Sequence, residues 1–160
     1  MVEETREIQF AGTKNEYGFL SNFYLAPFLY KDRWWASTEH AYQAAKTDVP
    51  EQIREIQSAT TPGKAKRLGQ KVTLREDWES VKDTAMFDVC LAKFLQNPEI
   101  AEKLLATGDA TLVEHTPWKD YYWGDGGDGT GQNKLGVILM GIRTLLVERI
   151  KATYDEKEST

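Results

Sequence analysis

Five of the chain's twelve glycines fall in the eight positions 124–131, inside the segment Trp123-Gly-Asp-Gly-Gly-Asp-Gly-Thr-Gly-Gln-Asn133. Glycine admits positive φ and lets backbone approach a ligand closely. The segment also leads into an expected helix, whose first N–H groups and dipole favour an anion. Gly124, Gly126 and Gly129 satisfy the spacing G-x-G-x-x-G, but alternating βαβ units are missing and the nearest expected strand ends well upstream. A P-loop fails as well, since Gly131 is followed by Gln132-Asn133 instead of Lys-Ser/Thr. Asp125 and Asp128 would repel a phosphate placed on them. They suit sugar hydroxyls, a developing positive charge, or turn bonds to nearby N–H groups. The spacing matches no EF-hand.

A second cluster is Trp34-Trp35-Ala-Ser-Thr-Glu39-His40 with Tyr42, Gln43 and Lys46. Glu39 and Lys46 lie two helical turns apart and share a face. A carboxylate there could meet a cationic transition state in an aromatic pocket, or could simply compensate the helix dipole. A third group, Lys64, Lys66, Arg67, Lys71 and Arg75, is either a solvated face or a phosphate grip, with Arg67 able to make a two-pronged contact. His40 and His115 read as surface or partly buried histidines. Two histidines and one cysteine do not make a zinc site, and no G-x-S-x-G elbow supports Ser-His-Asp hydrolysis.

The whole chain sets the frame for these groups. A formal charge of −5 argues against sequence-independent binding along DNA or RNA, which needs many phosphates neutralised. It leaves room for a small phosphorylated ligand on a local basic patch. Cys90 has no second cysteine to pair with, which suits a reducing cytosol, and it sits in a helical pattern as buried packing. No apolar run resembles a signal peptide or approaches the ~18 residues of a membrane span, so a cytoplasmic protein is expected. Five Trp, seven Tyr and six Phe serve the core or line a cleft that stacks on a flat heterocycle.

The elements that position these residues follow from periodicity and punctuation. Residues 7–10 alternate and predict a strand; 12–22 are turn-rich; the aromatic run 23–35, broken by Pro27 and Lys31-Asp32, predicts one or two short strands. Ser37 or Thr38 caps a helix to about Lys46. Pro50 starts a helix through Gln57, and Thr61-Pro62 a basic helix to Gly69. Thr73 with Glu76 forms a capping box for a long helix to about Gln96, burying Trp78, Val81, Ala85, Val89, Leu91, Phe94 and Leu95. Pro98 opens a helix ended by Gly108. A strand at 111–113 and the long loop 116–132 lead to a last helix, about Asn133 to Lys151, burying Leu135, Ile138, Leu139, Ile142, Leu145, Leu146 and Ile150. Gly136 and Gly141 within it imply close packing on another element. The charged tail from Thr153 is expected to fray. Mostly helix around a small sheet makes this one α+β domain over residues 1–160.

Taken in order, these clusters resemble the NADAR superfamily, the YbiA-like N-glycosidases, over about residues 8–148. The resemblance rests on Phe19-Leu-Ser-Asn-Phe23, Trp35-Ala-Ser-Thr-Glu-His-Ala-Tyr-Gln-Ala-Ala-Lys46, Ala65-Lys-Arg-Leu-Gly69, Asp77-Trp-Glu-Ser-Val-Lys82, Ala92-Lys-Phe94, Leu112-Val-Glu114, Tyr122-Trp-Gly-Asp-Gly-Gly127 and Gly131-Gln-Asn-Lys-Leu-Gly136. It implies an α+β fold peculiar to the family and metal-free hydrolysis of N-glycosidic bonds, with no cofactor. Members divide between enzymes that hydrolyse the first intermediates of riboflavin biosynthesis, giving ribose 5-phosphate and a pyrimidine, and enzymes that remove ADP-ribose from guanine in nucleic acid. This chain looks closer to the riboflavin-linked bacterial branch. Its partner would then be a small phosphorylated riboside, with nucleic acid a partner only on the guanine reading. A non-catalytic ADP-ribose or nucleotide-binding module is the rival class.

On that resemblance, Glu39 stabilises an oxocarbenium-like state, and Asp125 positions water or protonates the leaving base. Phe23, Trp35 and Trp123 stack on the ring; Asn22 and Asn133 bond the sugar or ring edge; Gly124 lends its backbone. Lys46 and Arg67 hold the phosphate. At ~4 Å and an effective dielectric near 20, a unit charge contributes about 4 kcal/mol before desolvation. The two loop carboxylates therefore outweigh the half-charge of a helix terminus. The phosphate is expected at Lys46 and Arg67, with the glycine loop closing over ribose and ring.

Overall fold

The alternating segments become strand and the 3.6-period segments become helix. The computed structural model describes residues 4–159, with strands β1 (Glu7–Phe10), β2 (Leu25–Tyr30), β3 (Arg33–Ser37) and β4 (Thr111–Glu114). The helices are α1 (Thr38–Ala44), α2 (Pro50–Gln57), α3 (Pro62–Gly69), α4 (Trp78–Gln96), α5 (Pro98–Ala106) and α6 (Lys134–Glu158), with a short 3₁₀ turn at Gly18–Leu20. About half of the chain is helical, and the α+β class holds. The strands form two separate pairs, one in each of two compact units. One unit is Gly12–Pro98; the other joins the residues up to Ala11 to those from Glu99 onward.

In the Gly12–Pro98 unit, β2 and β3 form an antiparallel hairpin across Lys31 and Asp32, at φ of 49° and 63°. Two positive φ values give a turn whose twist matches that of the flanking strands. Pro27 sits at the register irregularity between Leu25 and Phe28, where its missing N–H breaks no regular ladder. Ser37 ends β3 and caps α1, its hydroxyl accepting the His40 N–H, and Thr61 caps α3 through the Lys64 N–H. The capping box at Thr73 and Glu76 does not form. Thr73 is tied instead to Gln52 of α2, its N–H donating to Oε1 at 2.8 Å and its hydroxyl accepting from Nε2 at 3.3 Å. The Arg75 N–H meets the Lys46 carbonyl at 2.8 Å, so α4 begins only at Trp78. Within α4, Trp78, Met86, Val89, Cys90 and Phe94 are buried, whereas Leu95 is exposed.

In the other unit, β1 and β4 run parallel, with Ile8 and Phe10 facing inward, and α6 packs on β4. Gly108, at φ 63°, ends α5 as expected. Leu135, Leu139, Ile142 and Leu146 form the buried stripe of α6, while Leu145 and Ile150 are exposed. A side chain at Gly136 would collide with the Leu112 carbonyl and the Asn133 amide, so this glycine permits the close packing expected of it. Gly141 does not: nothing lies within 4 Å of where its Cβ would be. The tail does not fray either, since α6 continues to Glu158 with every residue after Leu146 exposed. Lys, Ala and Glu are strong helix formers, and intrinsic propensity rather than burial carries this last stretch.

Candidate active site

Every residue from Ser37 to Ala44 is buried, so α1 carries its polar side chains inside the Gly12–Pro98 unit. Glu39 is 6% exposed. Its backbone N–H, one of the first-turn donors a helix leaves unpaired, donates to the Asn22 carbonyl at 3.0 Å. Its Oε1 accepts Gln43 Nε2 at 2.8 Å, one turn further along the same face. Lys46 is half-buried with Nζ 5.6 Å from the centre of the Tyr42 ring. Burial pulls its ammonium below the usual lysine range, Glu39 opposes that and Lys66 adds to it. Glu39 is thus close enough to act on the Lys46 ammonium, in keeping with the shared face expected of the two. His40 is fully buried and bridges, with Nε2 2.9 Å from the Ala59 carbonyl and Nδ1 2.7 Å from the Ser37 hydroxyl. A carbonyl only accepts, so the ring proton belongs on Nε2.

The loop after the 3₁₀ turn supplies Asn22 and Phe23. Phe23 is exposed, with Lys66 Nζ 6.0 Å from its ring centre, and can stack on a ligand. Asn22 is buried and turned onto α4, its amide donating to the Met86 sulfur at 3.4 Å and accepting the Cys90 thiol at 3.8 Å. The sugar contact expected of it has no free amide end here, although sulfur is a weak partner. Trp35 is likewise corrected. Strand alternation turns it into the core, where its indole N–H donates to the Tyr30 carbonyl at 3.1 Å, and leaves Trp34 63% exposed. Arg67 lies on the last turn of α3, exposed, with no ion pair recorded among the described residues.

Lys93 stands in the phrase Ala92-Lys-Phe94 but has no role assigned to it from sequence. It is 1% exposed, and its ammonium donates to the carbonyls of Phe19 at 2.7 Å and Ser21 at 3.1 Å, fixing the turn that leads into Asn22 and Phe23. Burial lowers its pKa to about 8. The available signal was a lysine between Val89 and Phe94, on the apolar face of α4.

In the other unit the glycine loop folds back on itself. The N–H groups of Asn133, Lys134 and Leu135 donate to the carbonyls of Gly124, Tyr122 and Trp123 at 3.0 to 3.1 Å. The donors that were to attract an anion at the start of α6 are thus taken. Asn133, at φ 50°, donates its amide to the Leu112 carbonyl and accepts the Glu114 N–H, both at 2.9 Å, so it completes the edge of β4 rather than facing a sugar. Gly124 is buried against the Thr116 side chain, which a Cβ would strike. Trp123 is half-buried, edge-on to Tyr122 with ring centres 4.8 Å apart.

Asp125 is the knot of this loop. Its Oδ1 accepts the N–H groups of Thr116 at 2.9 Å and Gly127 at 2.8 Å, and its Oδ2 lies 2.9 Å from His115 Nδ1. Burial acts to raise its pKa, but the bonds from His115, Thr116 and Gly127 outweigh it and hold the carboxyl at about 2. A carboxylate ionised and bonded in this way has no proton to give a leaving base at neutral pH. Asp128 likewise accepts from the Thr130 N–H and hydroxyl. Of the roles open to these aspartates, the turn bonds are what the loop displays.

Among the described residues no three His, Cys, Asp or Glu side chains gather as a metal site, and no helix is long and apolar enough to cross a membrane. Comparison with known proteins matches the NADAR domain model to residues 9–147. The N-glycosidase YbiA of Escherichia coli is 43% identical over 141 residues, covering 87% of this chain and 88% of that protein. A riboflavin biosynthesis protein of Vibrio vulnificus is 41% identical over 143 residues, 88% of this chain but 39% of its own length. The NMR structure of E. coli YbiA superposes with a TM-score of 0.83 at 41% identity, covering 93% of this chain and 90% of that one. Sequence match and shared fold both extend over nearly the whole length: the chain belongs to the NADAR domain family.

Proposed function

We propose that this protein hydrolyses the N-glycosidic bond of phosphorylated ribosylamino-pyrimidines, releasing ribose 5-phosphate and the free pyrimidine. The coarser statement needs no proposal: the chain is a hydrolase acting on N-glycosyl bonds. The observation that supports the chemistry is Glu39, a buried carboxylate that accepts a bond from Gln43 and acts on the Lys46 ammonium. Cleavage of an N-glycosidic bond builds positive charge on the anomeric carbon and ring oxygen of the ribose. A fixed carboxylate in a place shielded from water stabilises that charge more than it stabilises the neutral ground state. Water then adds its oxygen to the anomeric carbon as the C–N bond breaks, and the proton that water loses balances, through solvent, the one the departing nitrogen takes up. Asp125 is not the source of that proton; it keeps the loop closed on itself and orients His115.

Lys46 and the exposed Arg67 are the proposed phosphate grip, and Phe23 is the proposed stacking ring. That the loop's own carbonyls occupy the first donors of α6 supports placing the phosphate away from the glycine segment. The riboflavin name of the Vibrio relative favours a pyrimidine riboside over ADP-ribosylated guanine, and the buried thiol of Cys90 suits a cytosolic enzyme.

The test is to incubate the purified protein with a ribosylamino-pyrimidine 5′-phosphate and, separately, with ADP-ribosylated guanosine, following release of the sugar phosphate. Turnover of the pyrimidine riboside, unchanged by EDTA, is expected. Preference for the guanine adduct would replace the substrate. Loss on chelation with recovery on a divalent cation would replace the metal-free mechanism. Binding without any release would mean a recognition module.

A further inference from the structure

Gln43 occupies the middle of a buried helix, 4% exposed, where an apolar side chain of similar length would fill the same space. Its amide is only half satisfied. Nε2 donates to Glu39 Oε1 at 2.8 Å, while Oε1 is buried with no hydrogen-bond partner. Buried amides are rarely left this way, and each exception asks for a reason. The reason is not a poor orientation of the group. Turning the amide over would set its carbonyl against a carboxylate oxygen, so an ionised Glu39, the form the proposed chemistry uses, requires the N–H end to face it.

The unpaired end lies against α3 at Gly69. Gln43 Oε1, Cδ and Cβ lie so close to Gly69 that a Cβ added there would collide with all three. Gly69 thus leaves the space the amide occupies, and any side chain there would push the amide out of its place beside Glu39. The Glu39 backbone is pinned separately, by its N–H bond to the Asn22 carbonyl. One carboxylate oxygen is therefore fixed by Gln43. An N–H donated to a carboxylate also favours its ionised form, the form an oxocarbenium ion requires.

We infer that Gln43 is a positioning residue that aims the Glu39 carboxylate for catalysis, with Gly69 leaving the room its amide needs to do so. This rests on the reading of Glu39 under the proposed function. The polar side chain is retained in the core, with one end unpaired, because aiming Glu39 matters more than satisfying the amide.

The test compares Gln43→Leu, Gly69→Ala and Glu39→Gln in steady-state kinetics on the ribosylamino-pyrimidine 5′-phosphate, with thermal melts on the same samples. Gly69→Ala is the informative partner, because it keeps both Gln43 and Glu39 and disturbs only their geometry. Misplacing a reacting group by about an ångström costs up to ~100-fold in rate. Gln43→Leu and Gly69→Ala should each lower kcat by about 10- to 100-fold while KM stays within about twofold. If Glu39→Gln is slow but both other variants turn over normally, the inference falls and the function reading stands. If Glu39→Gln turns over normally, the catalytic role of Glu39 falls and this inference with it, while the activity stands; if the parent itself releases no sugar phosphate, it is the function reading that falls. A rise in KM with kcat retained would make Gln43 a binding residue. Loss of fold in both variants would make the pair structural. Either result overturns the inference.

Discussion

Replacing Lys93 with methionine tests whether a buried cation is tolerated for the sake of the loop it holds. At 1% exposure its ammonium has no carboxylate among its recorded hydrogen-bond partners, only the carbonyls of Phe19 and Ser21 and the nearby rings of Tyr24 and Phe94. Burial lowers the pKa from 10.5 in a free lysine to about 8. At 1.36 kcal/mol per unit, that difference corresponds to about 3 kcal/mol between the two protonation states. The sign follows from proton counting. Between pH 8 and 10.5 the unfolded chain keeps the lysine proton and the folded one releases it, so stability rises with pH through that window. The contribution is fully present above 10.5 and is lost as pH falls through 8. Urea unfolding of the protein and of Lys93→Met at pH 7 and pH 10 reads this directly, because groups common to both cancel in the difference. The stability of the parent relative to the variant should grow by about 2–3 kcal/mol from pH 7 to pH 10. A difference that stays constant over that range would refute the buried-cation account. At pH 7 the variant also strands two carbonyls, at about 1–3 kcal/mol each, so it should not be more stable than the parent by the whole 3 kcal/mol.

Glu39→Gln should lower kcat by roughly 100-fold or more with little change in KM, since the charge it meets develops only on the way to cleavage; near-normal turnover in a folded variant would return Glu39 to helix-dipole compensation. Arg67→Ala should erase most of the preference for a 5′-phosphorylated riboside over the unphosphorylated one, measured as a ratio of kcat/KM, and equal loss on both substrates would deny it the phosphate. Asp125→Asn should flatten the acid side of the stability curve: its carboxyl titrates at about 2 when folded, below the ordinary 3.8, so its contribution is present above pH 4 and lost as pH falls toward 2. Gly136→Ala should destabilise α6 in urea unfolding because the new methyl strikes the Leu112 carbonyl. Gly141→Ala, opening into free space, should stabilise it by up to about 1 kcal/mol.

Local signals located nearly every element of this protein. Alternation at 7–10, the Lys31-Asp32 turn, the Ser37 and Thr61 caps, the prolines at 50, 62 and 98 and the glycine at 108 each act over a few residues of chain, so they are legible without a fold. The spacing of Glu39 and Lys46 likewise predicts that the two lie close, and they do, although α1 ends at Ala44 and Lys46 follows in the turn after it. What only the tertiary structure decided is where polar side chains spend their hydrogen bonds. Trp35 and Trp34 are equivalent by composition until pairing with β2 sets the phase of the strand. Thr73 looked like a cap until Gln52, 21 residues away, claimed it. Asn22, Asn133 and Asp125 carry the groups a sugar would want, yet each is drawn to groups elsewhere in its own unit: the sulfurs of α4, the open edge of β4 and the N–H groups of Thr116 and Gly127. Lys93 turned inward because carbonyls 72 and 74 positions earlier needed donors. A buried polar atom must find a partner wherever the fold puts one, and that partner is set by contacts between distant segments, which no local pattern records.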